Sequence, residues 1–193
     1  MLTWYIRRRL AAFERTHGYD LGYARELLAT DLRAFLAFAR ASGIGAYRRD
    51  VALAPHVAAT LVAAMAEDCG PCTQLVVTRA LADGVEPAVL AAVLAGDVGA
   101  LPADVALAVR FARATLARAP EADLHREEIL ARWGARGLAS LAFAVVAGRF
   151  YPTLKYALGH GRTCQRVRVA EREVEVAHGA PPAPAATVHA HRP

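Results

Sequence analysis

Residues 51–66 form a 16-residue run without Asp, Glu, Lys or Arg, and the run leads almost directly into Cys69-Gly70-Pro71-Cys72. It is rich in alanine, the strongest helix former. The spacing predicts a helix from near Pro55 to about Ala66. Its lack of charge predicts burial on most sides. Pro71 suits the first turn of a second helix. The Cys-x-x-Cys pair therefore falls where one helix ends and another begins. Two thiols at i and i+3 lie on one helix face, close enough to form a disulfide or share a metal.

The chain has 193 residues, 55% of them hydrophobic, which is enough for one domain with a real core plus tails. Alanine and arginine dominate, and valine-type residues show no clear alternation before about residue 165. The expected fold class is all-α, a helical bundle with short connections. No membrane span is expected, because the uncharged run is shorter than the roughly 20 strongly apolar residues that a spanning helix needs. Trp4-Tyr5-Ile6 precedes Arg7-Arg8-Arg9, the reverse of a secretory leader, so a cytoplasmic protein is expected. The net charge of +5 is spread along the helices, apart from Arg7, Arg8 and Arg9 and the cluster Arg162, Arg166 and Arg168. A nucleic-acid surface would interleave aromatics on a basic face, so nucleic acid is not an expected partner.

In chain order, residues 1–17 read as a short amphipathic helix whose Trp4, Leu10 and Phe13 dock on the body or on a neighbouring subunit. Asp20 caps a helix running to about Ser42, carried by Leu21, Leu28, Leu32, Phe35, Leu36 and Phe38, and the glycines at 43 and 45 end it. The helix begun at the dithiol stops at Asp83-Gly84. Helices follow from Pro87 to near Gly96, from about Asp104 to near Pro120, and from Asp123 through Trp133. Gly134 and Gly137 mark a break. A long buried helix is expected over 138–158, kinked or split by Pro152. From Arg166, valines alternate with charged residues as a short strand or extended arm. From Ala177 the Ala/Pro-rich tail, with His178, His189 and His191, is expected to be disordered. The expected organisation is N-terminal helices over 1–50, a helical domain over 51–165, and an arm and tail over 166–193.

A thiolate is the reactive form of cysteine, and a helix N-terminus stabilises it. Such a pair can reduce a peroxide: one thiolate becomes a sulfenic acid and the other thiol condenses with it. It can equally exchange with a partner's disulfide. Thioredoxins carry the same tetrapeptide, but after a hydrophobic strand; the helix-forming run at 58–66 argues against that fold. A structural zinc needs about four ligands. No second Cys-x-x-Cys is present, and Cys164, His56 and His160 match no finger spacing. No metal and no cofactor are expected.

Several features read together carry a family resemblance. A helix enters Cys69-Gly70-Pro71-Cys72, then Arg79 to Pro87 supplies a turn and a helix start. The helices over 89–96, 104–116 and 129–148 follow, the second including Ala108-Val109-Arg110-Phe111-Ala112, and Phe150-Tyr151-Pro152-Thr153-Leu154 comes last. Over 55–161, roughly half the chain, the sequence resembles the AhpD-like / carboxymuconolactone decarboxylase family. The resemblance implies an all-α homotrimer or homohexamer, acting as an alkylhydroperoxidase or disulfide reductase with a thiol reductant. It implies Cys72 as the attacking thiol and Cys69 as its resolving partner. The decarboxylase branch lacks the dithiol, and keeping both cysteines argues against that role.

Two family positions differ. The histidine expected four residues after the second cysteine is Val76, and the glutamate expected about twelve residues before the first falls at Val57. A valine cannot move a proton. The candidate replacements are Glu67 and Asp68, beside the dithiol, and His56. Gln74 can hold a water or substrate oxygen, Arg79 can stabilise a thiolate from the same helix face, and Cys164 can act as a further resolving thiol. The competing expectation is a dithiol redox sensor or oligomeric scaffold without catalysis.

Overall fold

The computed structural model describes residues 1–161 and 166–177. The chain folds into α1 (Leu2–His17), α2 (Gly22–Thr30), α3 (Leu32–Ala41), a 3-10 turn (Ser42–Ala46), α4 (Leu53–Ala66), α5 (Gly70–Ala82) and α6 (Pro87–Ala95). A second 3-10 turn (Val98–Ala100), α7 (Ala103–Ala117), α8 (Glu121–Ala157), β1 (Arg166–Val169) and β2 (Arg172–Glu175) complete it. Among the described residues the fold is all-α, as the composition implies, with one small hairpin.

The alanine-rich run forms α4 and is buried as its lack of charge requires. It packs against α7 and α8, and its Ala58, Leu61 and Ala63 join Leu107, Val109 and Leu141 in the main core. Small side chains bring the axes close. A Cβ at Gly148 of α8 would stand 2.6 Å from the Ala63 Cβ and would strike the Thr60 carbonyl as well. A second cluster joins Tyr19, Tyr23, Leu28 and Phe35 to partly buried Phe13 of α1, Leu75 of α5 and Leu154 of α8. This cluster seats the N-terminal helices beside the start of α5.

The single helix expected from Asp20 to Ser42 is two helices. Asp20 does accept the Gly22 N–H at 2.8 Å, but Asp31 is extended (φ −159°, ψ 128°) and its side chain accepts the Arg33 N–H at 2.9 Å. Asp31 is thus an N-cap inside the apolar pattern. The break foreseen at Gly134 is a kink, φ 65° and ψ −173°, joining two helical segments into α8. Pro152 does not split that helix, which runs on to Ala157. By length and composition alone α8 is apolar enough to cross a membrane. Here its apolar positions Leu141, Ala144 and Val145 enter the main core.

The alternating valines form an antiparallel hairpin, with Val167 opposite Val174 and Val169 opposite Arg172. Val167, Val169 and Val176 are buried in the main core, and the Ala177 N–H donates to the Leu94 carbonyl at 2.9 Å. The tail is expected to be disordered from Ala177, but Ala177 is held by that bond to Leu94; His178 onward, and Cys164, lie outside the described residues.

Candidate redox site and its cleft

Between α4 and α5 the chain reverses at Asp68, which holds a left-handed backbone (φ 49°). Aspartate tolerates that conformation better than most residues. The Tyr156 hydroxyl donates to the Asp68 carbonyl at 3.3 Å and fixes the reversal to α8. Cys69 becomes the N-cap of α5, and Cys72 lies in its first turn, where the helix macrodipole favours negative charge. The two cysteines are joined by a disulfide, with Cα atoms 5.3 Å apart. Thr73 closes the turn, its backbone N–H and hydroxyl both donating to the Cys69 carbonyl, at 2.9 and 3.0 Å.

Both sulfur-bearing residues are buried, Cys69 at 1% and Cys72 at 6% exposure. Cys72 lines a cleft of about 970 Å³ between the N-terminal helices and the core. The walls are largely apolar, including Leu10, Phe13, Phe35 and Leu53. Val57 and Val76 line the same cleft and pack on the main core. The two positions where the family resemblance calls for Glu and His therefore face the cleft with side chains that hold no proton.

His56 also lines the cleft, and its buried Nε2 has no hydrogen-bond partner among the described residues. Burial lowers its pKa from the ordinary value; the Arg48 charge lowers it further, and hydrogen bonding to the Tyr47 backbone opposes both. Burial and the Arg48 charge thus favour the neutral ring. Arg79 is exposed at the cleft edge. Burial raises the Tyr151 pKa there; a hydrogen bond to Ser42 and the Arg79 charge work against it.

The other candidates have structural engagements. Glu67 accepts from Arg149 Nε at 2.5 Å and from the Thr153 hydroxyl at 3.1 Å, tying the end of α4 to α8. Gln74 spends its amide on the hairpin: Nε2 donates to the Arg168 carbonyl at 2.9 Å, and Oε1 accepts the Arg168 N–H at 2.8 Å. It acts as one more strand-like partner for β1. His160 pairs with Glu26 at 2.6 Å.

Two residues that the sequence did not single out touch the dithiol or its neighbour. The Tyr19 hydroxyl lies 3.6 Å from Cys72 Sγ. Lys155 Nζ, on α8, donates to that hydroxyl at 3.4 Å and sits over the Tyr19 and Tyr23 rings, 4.8 and 5.6 Å from their centroids. Lys155 is only 4% exposed. With Cys72 in the disulfide its sulfur bears no proton, so Tyr19 is the donor and the chain of donors runs from lysine to tyrosine to sulfur. Burial, the largest influence, pushes the Tyr19 pKa up to about 12, so the hydroxyl keeps its proton. One sequence signal was present: Lys155 is the sole lysine among 23 Lys and Arg residues.

Comparison of the chain with family models, with curated proteins and with solved structures returns no match. The fold and site define an all-α protein with a buried dithiol opening on an apolar cleft.

Proposed function

We propose that this chain is a thiol-dependent oxidoreductase of the AhpD-like kind, working in a reducing compartment on a small organic peroxide or disulfide. The observation that carries the reading is the Cys69–Cys72 pair at a helix start, with Cys72 on the wall of a cleft large enough for a small organic molecule. The family resemblance over 55–161 supports it.

In the peroxidase cycle the reduced Cys72 thiolate attacks the peroxide. The O–O bond breaks, Cys72 becomes a sulfenic acid, and the departing alkoxide takes one proton to leave as an alcohol. The Cys69 thiol condenses with the sulfenic acid, forming the disulfide and releasing water. Two thiol equivalents from an external reductant then restore the dithiol by exchange and leave as a disulfide. In the disulfide-reductase cycle the same exchange runs against a substrate disulfide.

Cys72→Ser abolishes thiol-dependent peroxide consumption and thiol–disulfide exchange under this reading. Equal consumption by both proteins in a coupled thiol-oxidation assay removes it.

A second reading, a dithiol sensor or oligomeric scaffold without turnover, draws on Val57 and Val76, which leave the cleft without the family's proton-carrying pair. Titrating the reduced cysteines separates the two. Thiol pKa values near the unperturbed ~8.5 favour the scaffold, and a depressed value favours the enzyme.

A further inference from the structure

We propose that Tyr19 and Lys155 form the proton relay of the dithiol, with Tyr19 the group that contacts Cys72 and Lys155 the positioning amine that takes and returns the proton. This inference rests on the oxidoreductase reading and supplies the base that Val76 and Val57 cannot.

Three observations carry it. Cys72 Sγ, Tyr19 Oη and Lys155 Nζ stand in a line of contacts at 3.6 and 3.4 Å. Lys155 is drawn from α8 into a nearly closed site, its nitrogen cushioned by two tyrosine rings. Every other Lys/Arg position in the chain is arginine, which holds its proton at all working pH values, whereas lysine can release one. A buried ammonium is costly unless an anion forms beside it. A Cys72 thiolate stands one hydroxyl away from the Lys155 nitrogen, so the two opposite charges favour one another whatever else touches the amine.

The step is balanced within the site. In the reduced protein the Cys72 S–H gives its proton to Tyr19 Oη as Tyr19 gives its own to the Lys155 amine. A neutral thiol and amine become a thiolate and an ammonium, and Tyr19 ends as it began. When the thiolate attacks the peroxide, Lys155 sends the proton back through Tyr19 to the departing alkoxide. Products are the sulfenic acid, the alcohol and a neutral amine. Tyr19 never ionises, which suits a hydroxyl whose burial pushes its pKa to about 12.

The groups around the relay come from several elements. Asp20, His17 and His160 line a small adjoining cavity of about 200 Å³ that Lys155 also lines. Tyr23 and Tyr151 act on Tyr19 from α2 and α8. His160 is already paired with Glu26.

The test reads Cys72 itself rather than turnover. Reduced full-length protein is alkylated with iodoacetamide from about pH 5 to 10, and the Cys72 peptide is quantified by mass spectrometry. Tyr19→Phe keeps the ring and removes only the relay atom. It is expected to raise the apparent pKa of Cys72 by about one unit, a roughly tenfold loss of thiolate at neutral pH. Lys155→Met is expected to give the same shift, and the double variant no more than either alone. Lys155→Arg is expected to leave peroxide turnover at the Lys155→Met level, because arginine cannot pass the proton. An unchanged Cys72 profile in Tyr19→Phe, whose fold is checked by circular dichroism, overturns the relay. So does full turnover in Lys155→Arg. If wild-type protein shows no turnover with any peroxide or disulfide but Tyr19→Phe still shifts the profile, the oxidoreductase reading falls while the coupling stands.

Discussion

Glu67 and Asp68 stand beside the dithiol in sequence, but the Glu67 carboxylate is turned to Arg149 and Thr153. Arg149 is half exposed, and partly exposed ion pairs contribute at most about 1 kcal/mol. Glu67→Gln is therefore expected to cost no more than about 1 kcal/mol in urea unfolding and, under the proposed oxidoreductase reading, to leave peroxide turnover within about twofold; a much larger kinetic loss would return Glu67 to the chemistry. His56 shows how a residue's role depends on burial. Its lowered pKa means that the unfolded chain takes up a proton before the folded one does. The sign follows: stability is full above the unfolded value of about 6.5 and is lost as pH falls below it. Melting temperature is expected to drop between pH 7 and 5, with a shallower slope in His56→Gln; equal slopes would show that another group governs it. The cysteines and their helix-start setting were legible from the residues because that chemistry is local. Tyr19 and Lys155 were not, since they meet across a sequence separation of 136 residues and neither belongs to a motif.

At the scale of elements, punctuation guided the reading well. Pro71, Pro87 and Gly96 mark helix starts and a stop where the expectations put them. Asp31 went unseen because apolar spacing continued across it; only its extended backbone and its capping bond separate α2 from α3. Pro152 does not split α8, which is packed on both sides of it through Gly148 and Leu154. Gly148 fixes how near α8 comes to α4. Gly148→Ala sets a methyl group against the Thr60 carbonyl and the Ala63 side chain, neither of which is a flexible chain end. Overpacking of this kind costs about 1–3 kcal/mol, and chemical denaturation should report it with an unchanged m-value. The hairpin offers a second check. Gln74→Ala removes both side-chain bonds to Arg168 and is expected to raise amide hydrogen exchange in 166–175 while protection in α4 and α7 stays as it was.

For the whole molecule, hydrophobic pattern sufficed for the all-α class, because each helix announces its buried face and its ends locally. Which helices enclose the cleft was not legible. The aromatic cluster that seats α1 to α3 beside α5 is tertiary, built from residues far apart in the chain. That seating has a consequence for rate. Neither sulfur lies at the surface: Cys69 and Cys72 are 1% and 6% exposed. A protein-sized reductant meets the outer helices before it meets the bond. The cleft of about 970 Å³ that Cys72 lines has room for a dithiol the size of dithiothreitol. Under the proposed oxidoreductase reading, a small dithiol is therefore expected to reduce the Cys69–Cys72 bond faster than a protein-sized dithiol at equal concentration, and equal rates in a stopped-flow assay would show that burial of the bond does not limit access.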